Sequence, residues 1–84
     1  MNQIIIDVRQ PNEYASGHVD GALNIPLGRF REDMDELEGV DKDTPIILYC
    51  LSGGRSNMAM LNLKAWGYTN LTNGINKQRV EANL

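Results

Sequence analysis

The apolar residues of this chain fall into short runs separated by turn-forming residues. Residues 4–8 form a β-branched run that is too short for a helix and apolar on both faces, which is typical of a buried parallel strand. Residues 22–25 indicate a second short strand, which Pro26 ends because proline cannot donate to a ladder. Residues 46–49 form the clearest strand, and residues 68–72 predict a last one.

Helical patterns separate these strands. Pro11 opens a short helical turn over residues 11–15, and Gly17 supplies the stop after it. Residues 27–37 predict a charged amphipathic helix, ended by Gly39. Its apolar face is expected to contain Phe30, Met34 and Leu37.

The second half of the chain contains the longest helical pattern. Ser56 is a natural N-cap for a helix with a broad apolar stripe that ends at Gly67. Asn73-Gly74 predicts a turn, and residues 75–82 predict a weak terminal helix. Strands that alternate with helices imply an α/β fold with a parallel sheet and right-handed crossovers.

Composition limits the function classes. The chain has 84 residues, of which 42% are apolar, so we expect one small domain over residues 1–84. Its net charge of −3 argues against a nucleic-acid-binding surface. No apolar stretch is long enough for a membrane span and no signal-peptide pattern is present, so we predict a cytoplasmic protein without membrane or nucleic-acid partners.

The segment after the strand at residues 46–49 is suited to covalent chemistry. Cys50 is the only cysteine, so it cannot form an intramolecular disulfide. Two glycines let backbone N–H groups turn toward its sulfur, the following helix adds a positive dipole end, and Arg55 adds a cation. We therefore interpret Cys50 as a thiolate nucleophile in an anion-binding loop. The loop residues are Leu51, Ser52, Gly53, Gly54, Arg55 and Ser56.

This loop resembles that of a known family. Residues 50–56 resemble the CxxGxRS active-site loop of the rhodanese (sulfurtransferase) superfamily. The chain also resembles the DVR, E-F/Y and GHI-x-GA-x-NIP signatures of that superfamily, in the same order. The matching segments are residues 6–9, 13–14, 17–19 and 21–26. The likeness runs from about residue 4 to residue 74. It implies a rhodanese-like parallel sheet of about four to five short strands, flanked by helices on both faces.

The resemblance also implies a persulfide mechanism. The Cys50 thiolate would take sulfane sulfur from a small anionic donor such as thiosulfate and pass it to cyanide, a thiol or a protein acceptor. No cofactor or metal is implied, and the protein would act as a monomer or weak dimer. The alternative is a protein-fed persulfide carrier or regulatory module.

Cysteine phosphatases and arsenate reductases are a less favoured alternative. Cysteine phosphatases place the arginine six positions after the nucleophile, whereas Arg55 lies five positions after Cys50. A shorter loop should make a smaller cradle, which favours a single sulfur over a tetrahedral phosphate. The sequence also shows no obvious acid for a phosphate-ester leaving group.

Other polar residues are interpreted as structural supports. We predict that Asp7, Arg9 and Glu13 form an ion-pair and capping set that shapes the turn after the first strand, rather than a charged relay. We predict that His18 hydrogen-bonds the backbone and fixes its loop, rather than acting as a base. The acidic residues at 32–38 are assigned to a solvated face rather than to a metal site.

Two features depart from the family pattern. Only three residues precede the first strand, so we expect a minimal domain that lacks the family's usual first strand and helix. Asn73-Gly74 stands where the family usually has Gly-Gly followed by a Trp a few residues on. The second departure concerns the packing of the C-terminal segment rather than the loop.

Overall fold

A parallel sheet forms the centre of the computed structural model, which describes residues 3–84. Its strands are β1 (Ile4–Asp7), β2 (Leu23–Asn24), β3 (Ile46–Cys50) and β4 (Leu71–Asn76). The strand order is β2-β1-β3-β4, and every pairing is parallel. The predicted α/β architecture, with a parallel sheet of about four to five short strands, is therefore confirmed, and the sheet has four strands.

Helices cover both faces of the sheet. They are α1 (Pro11–Ala15), α2 (Gly54–Ala65) and α3 (Lys77–Ala82). On one face, α2 packs over the β-branched and aliphatic residues of the two central strands, among them Ile6 and Leu48, which are fully buried. On the other face, Val80 of α3 belongs to a smaller cluster with Tyr49 of β3. In the described part of the chain, no helix is long and apolar enough to cross a membrane.

The prediction of a helix over residues 27–37 is wrong. The segment contains two 3-10 turns, Leu27–Arg29 and Asp35–Leu37, joined by extended backbone at Phe30 and Met34. Gly28 and a run of neighbouring acidic residues both disfavour a helix there. Met34 and Leu37 are nevertheless buried, because the segment lies on the core and its turns place these apolar side chains against it.

The turn predicted at Asn73-Gly74 is also wrong, because these residues lie inside β4. Leu48 pairs with Asn73 and Tyr49 pairs with Ile75, so Gly74 is the extra residue of a β-bulge. A Cβ on Gly74 would overlap Val80 and lie 3.0 Å from Ile47 Cγ2. The absence of a side chain at Gly74 therefore lets α3 pack closely on the sheet.

The predicted strand over residues 68–72 begins later, at Leu71. The helix predicted from residue 75 likewise begins at Lys77, where the Asn76 side chain accepts a hydrogen bond from the Arg79 N–H at 2.8 Å. The predicted stop of α2 is confirmed, since Gly67 follows the helix with a φ of 99°.

Candidate active site

Cys50 lies where β3 ends and the chain turns into α2. The thiol is 1% exposed, at the base of a loop whose outer residues, Leu51 and Ser52, are exposed. Open α/β sheets bind ligands at the carboxyl ends of their parallel strands, and Cys50 lies at such an end. The loop is therefore open to solvent on its outside, while its sulfur is held on the inside.

Gly53 shapes the loop. Its φ of 94° is left-handed, and it serves as the N-cap of α2, so the prediction that Ser56 is the N-cap is wrong. The left-handed turn requires a glycine and directs the Gly53 N–H toward the Cys50 sulfur, at 3.1 Å. Ser56 lies instead in the first turn of α2, where it is fully buried. Its hydroxyl oxygen is 3.5 Å from Cys50 Sγ.

The surroundings of Cys50 favour the thiolate. Burial by itself would raise the pKa of Cys50, but hydrogen bonds from the Ser56 hydroxyl and from the backbone N–H groups of Ser56, Gly53 and Ser52 outweigh burial. The pKa is lowered from 9.0 to about 7. About half of the protein therefore carries a nucleophilic sulfur at neutral pH.

Arg55 is held by α1. Its guanidinium donates to both carboxylate oxygens of Glu13, at 2.8 and 3.1 Å. This bond is the main reason that the pKa of Glu13 falls to about 2, with the hydrogen bond from the Gln10 N–H second. The pKa of Arg55 is raised, first by the Glu13 hydrogen bond and also by attraction to Cys50. Arg55 is thus shared between a protein carboxylate and the sulfur site.

The predicted ion-pair and capping set is divided in the structure. Arg9 and Asp7 form a buried pair, with Arg9 Nε 2.9 Å from Asp7 Oδ1, and Arg9 also donates to the Gly17 carbonyl at 2.7 Å. This pair closes the turn between β1 and the following segment. Glu13 instead caps α1 by accepting from the Gln10 N–H at 3.0 Å and extends to Arg55.

His18 contacts the short helix that precedes it. Its Nδ1 lies 2.9 Å from the Tyr14 carbonyl oxygen, and the two rings stack with centroids 3.6 Å apart. These contacts fit the predicted interpretation of His18 as a loop-fixing residue. Among residues 3–84, no three His, Cys, Asp or Glu side chains come together in a group that could hold a metal ion.

Asn73 is a site residue that the sequence analysis did not identify. It lies in β4, beside β3, and its side chain contacts Ser56 Oγ at 2.7 Å and the Gly53 carbonyl at 3.0 Å. The available signal was its position: a polar residue directly after the predicted last strand, residues 68–72, where ligands of open parallel sheets bind. The turn predicted at Asn73-Gly74 concealed this signal.

Comparison with known proteins gives one consistent family. A rhodanese-like domain model matches residues 1–78. Thiosulfate sulfurtransferase PspE of Escherichia coli (strain K12) is 40% identical over 68 residues, which cover 81% of this chain and 64% of that protein. The putative sulfur carrier protein YrkF of Bacillus subtilis (strain 168) is 38% identical over 69 residues, covering 82% of this chain and 36% of that protein.

The folds agree as well. A solved rhodanese with anions from E. coli superposes with a TM-score of 0.80 at 34% identity, covering 93% of this chain and 91% of that chain. Several of the curated relatives are longer than this chain. The chain spans 52% of the length of one relative and 20% of the length of another. Their shared region is therefore one domain, which occurs in proteins of different length.

Proposed function

The chain belongs to the rhodanese-like domain family, and from this membership we propose that it is a sulfurtransferase that carries sulfane sulfur as a persulfide on Cys50. The observation that carries the proposal is the buried Cys50 sulfur, which accepts the Gly53 N–H at 3.1 Å and has a pKa of about 7. A structural cysteine in an apolar core would have a raised pKa instead.

The proposed donor is thiosulfate. The Cys50 thiolate attacks its outer sulfur, the bond between the two donor sulfurs breaks, and sulfite leaves with the electron pair. Cys50 is left with a persulfide. Cyanide then attacks the outer sulfur, thiocyanate forms, and the Cys50 thiolate is the leaving group. No leaving group needs a proton, so the reaction requires no general acid.

The loop supports both halves of this cycle. Backbone N–H groups and the start of α2 stabilise the negative charge that returns to Cys50 after each transfer. Arg55 provides a cation for an anionic donor, although the donor must share it with Glu13. This arrangement supports a small anionic donor such as thiosulfate.

A decisive test is the intact mass of the reduced protein before and after thiosulfate. We expect a gain of one sulfur atom that cyanide removes and that Cys50→Ser does not show. Failure of the unmodified protein to gain sulfur from thiosulfate and from a loaded cysteine desulfurase would refute the proposal. Circular dichroism of Cys50→Ser verifies that the control is folded.

A second candidate function is a persulfide carrier that is loaded by another protein. Leu51, next to Cys50, is 59% exposed, and an exposed leucine on a catalytic loop is suited to contact with a protein surface. One relative is also described as a putative sulfur carrier. In this case sulfur would arrive as a persulfide from a partner rather than from free thiosulfate.

The two functions differ in their dependence on Leu51. Leu51→Ser is expected to slow sulfur transfer from a loaded cysteine desulfurase several-fold more than transfer from thiosulfate. Leu61→Ser is a matched control, because Leu61 is an exposed leucine of α2, at 49%. Equal effects of the two substitutions on desulfurase-dependent loading would contradict the carrier function.

A further inference from the structure

The side chain of Asn73 makes three hydrogen bonds, two of which connect β4 to the loop. Its Nδ2 donates to the Gly53 carbonyl at 3.0 Å, and its Oδ1 accepts from the Ile75 N–H at 3.0 Å. A backbone carbonyl can only accept and a backbone N–H can only donate, so these two partners determine which amide atom is oxygen. The third contact is between Oδ1 and Ser56 Oγ, at 2.7 Å.

The Ser56 hydroxyl has more partners than protons. Because Asn73 Oδ1 has no proton to give, the 2.7 Å contact requires Ser56 to be the donor. Ser56 Oγ also lies 3.2 Å from the Gly53 carbonyl oxygen, which is a second acceptor, and 3.5 Å from Cys50 Sγ. A neutral Cys50 thiol can donate to Ser56 Oγ, whereas a thiolate needs the Ser56 proton for itself. Asn73 Oδ1, the Gly53 carbonyl and the thiolate therefore compete for one hydrogen, and Asn73 Oδ1 is the nearest of the three.

We propose that Asn73 is a positioning residue that controls whether the Ser56 hydroxyl proton is directed to Asn73 or to the Cys50 sulfur. This deepens the proposed function, because it concerns the thiolate on which that function rests. The Cys50 proton leaves to solvent on ionisation, the Ser56 O–H turns from Asn73 Oδ1 to Cys50 Sγ, and the hydrogen bond to Asn73 breaks. Asn73 thus favours the resting thiol and restrains the thiolate.

The backbone of β4 holds Asn73 in this position. Ile75 has a φ of 74°, which β-branched residues rarely adopt, and its N–H is the donor that orients Asn73 Oδ1. Such a backbone conformation is strained and persists where surrounding structure imposes it. The bulge at Gly74 places Ile75 in this conformation, so the packing of α3 on the sheet also orients Asn73.

The charged groups on the elements around Cys50 are mostly paired with one another, so they do not obscure the effect of Asn73 on the thiolate. From α2, Arg55 acts on the thiolate, and Glu13 of α1 offsets part of its charge. Asp7, at the end of β1, and Arg9, just after it, neutralise each other. On α3, against the other sheet face, Lys77 pairs with Glu81 and Arg79 is exposed. β4 contributes only uncharged residues, so Asn73 acts by hydrogen bonding alone.

The test is the rate of Cys50 alkylation by iodoacetamide, measured by intact mass at several pH values between 5 and 9. The midpoint is the pH at which the rate reaches half of its maximum. In Asn73→Ala the Ser56 proton loses its shortest acceptor and is shared only between the Gly53 carbonyl and the sulfur, so the midpoint should fall by about half to one pH unit. At pH 6 this makes alkylation about three- to fivefold faster. In Asn73→Asp the carboxylate holds the proton and adds negative charge, so the midpoint should rise.

A double-mutant cycle separates this mechanism from a general loosening of the loop. In a Ser56→Ala background, Asn73→Ala should leave the midpoint unchanged, because the shared hydroxyl is gone. A midpoint that rises or stays unchanged in Asn73→Ala, or that shifts equally with and without Ser56, would overturn the proposal. If Asn73→Ala does not fold by circular dichroism, a midpoint that fails to rise in the near-isosteric Asn73→Asp overturns it. Alkylation needs no sulfur donor, so the result is independent of whether thiosulfate is used.

Discussion

At the residue scale, the chemistry of Cys50 depends on a balance between burial and hydrogen bonding. A sulfur that is 1% exposed should resist ionisation, yet the loop directs enough donors at it to lower its pKa to about 7. The Ser56 hydroxyl is the donor with the largest effect, and three backbone N–H groups of the loop add to it. Asn73 competes for the Ser56 hydroxyl.

The pH dependence of sulfur uptake follows from this pKa. Only the thiolate attacks sulfane sulfur, so the single-turnover rate with thiosulfate should rise as the pH rises through about 7 and level off about one unit above. Rapid-quench measurement of sulfite release between pH 5.5 and 9 checks this prediction. A midpoint near 9, the ordinary value for the thiol, would show that the loop does not stabilise the thiolate.

Glu13 is expected to weaken donor binding by sharing Arg55. In Glu13→Gln the amide oxygen still accepts from the Gln10 N–H, but the negative charge beside Arg55 is removed. The KM for thiosulfate should therefore fall several-fold at low ionic strength, and the difference should shrink at high salt. Glu81→Gln removes an equal charge from α3 and is the control. An unchanged or higher KM in Glu13→Gln alone would contradict this prediction.

At the scale of elements, the site depends on how β4 and α3 meet. The bulge at Gly74 lets Val80 approach the sheet, and the residues on either side of the bulge, Asn73 and Ile75, support the loop from behind. The side chain of Ile75 would lie 3.5 Å from a Cβ at Gly53, so these two segments pack closely. The bulged part of β4 therefore packs against the Cys50 loop and supports it.

Gly74→Ala should destabilise the fold. The added methyl group would overlap Val80 and press on Ile47, which requires the helix or the strand to move. We expect a loss of about 1–3 kcal/mol in the free energy of unfolding, measured by urea denaturation. Gly28→Ala is the matched control, because a Cβ there meets nothing within 4 Å, and its change should stay within about 0.5 kcal/mol. Equal changes would show that the contact is not tight.

At the scale of the whole molecule, a small core leaves little reserve of stability. A domain of 84 residues is expected to have a free energy of unfolding of roughly 4–13 kcal/mol. It nevertheless buries a charged pair, since Asp7 is 0% and Arg9 is 6% exposed. The pair is satisfied by hydrogen bonds between its members and by the Gly17 carbonyl, and Arg9 also lies over the Tyr49 ring.

Loss of one member of this pair should affect the whole fold. Arg9→Met leaves the Asp7 carboxylate buried without its partner, so we expect a loss of about 3–5 kcal/mol. Arg29→Met is the control, because Arg29 pairs with Glu36 at the surface and its loss should cost no more than about 1 kcal/mol. Urea denaturation of both variants tests the difference, and losses of similar size would contradict it.

Local patterns were sufficient for the parts of the molecule in which neighbours along the chain decide the outcome. The β-branched runs at residues 4–8 and 46–49 indicated buried parallel strands, because both faces of such strands meet apolar residues. The glycine pair after Cys50 indicated the loop, because only glycine adopts the Gly53 conformation easily. The helix over residues 27–37 was wrong because apolar spacing alone cannot distinguish a helix from turns that bury the same side chains.

The sequence by itself thus determined the fold class, the position of Cys50 at the end of a central strand, and the family likeness of its loop. Only the tertiary structure decided that Arg55 pairs with Glu13, 42 residues away, and that Asn73 reaches Ser56 across 17 residues. The physical reason is that parallel strands bring distant segments side by side, and their pairing is set by long-range packing. The competition between Asn73 and Cys50 for the Ser56 proton arises entirely from that packing.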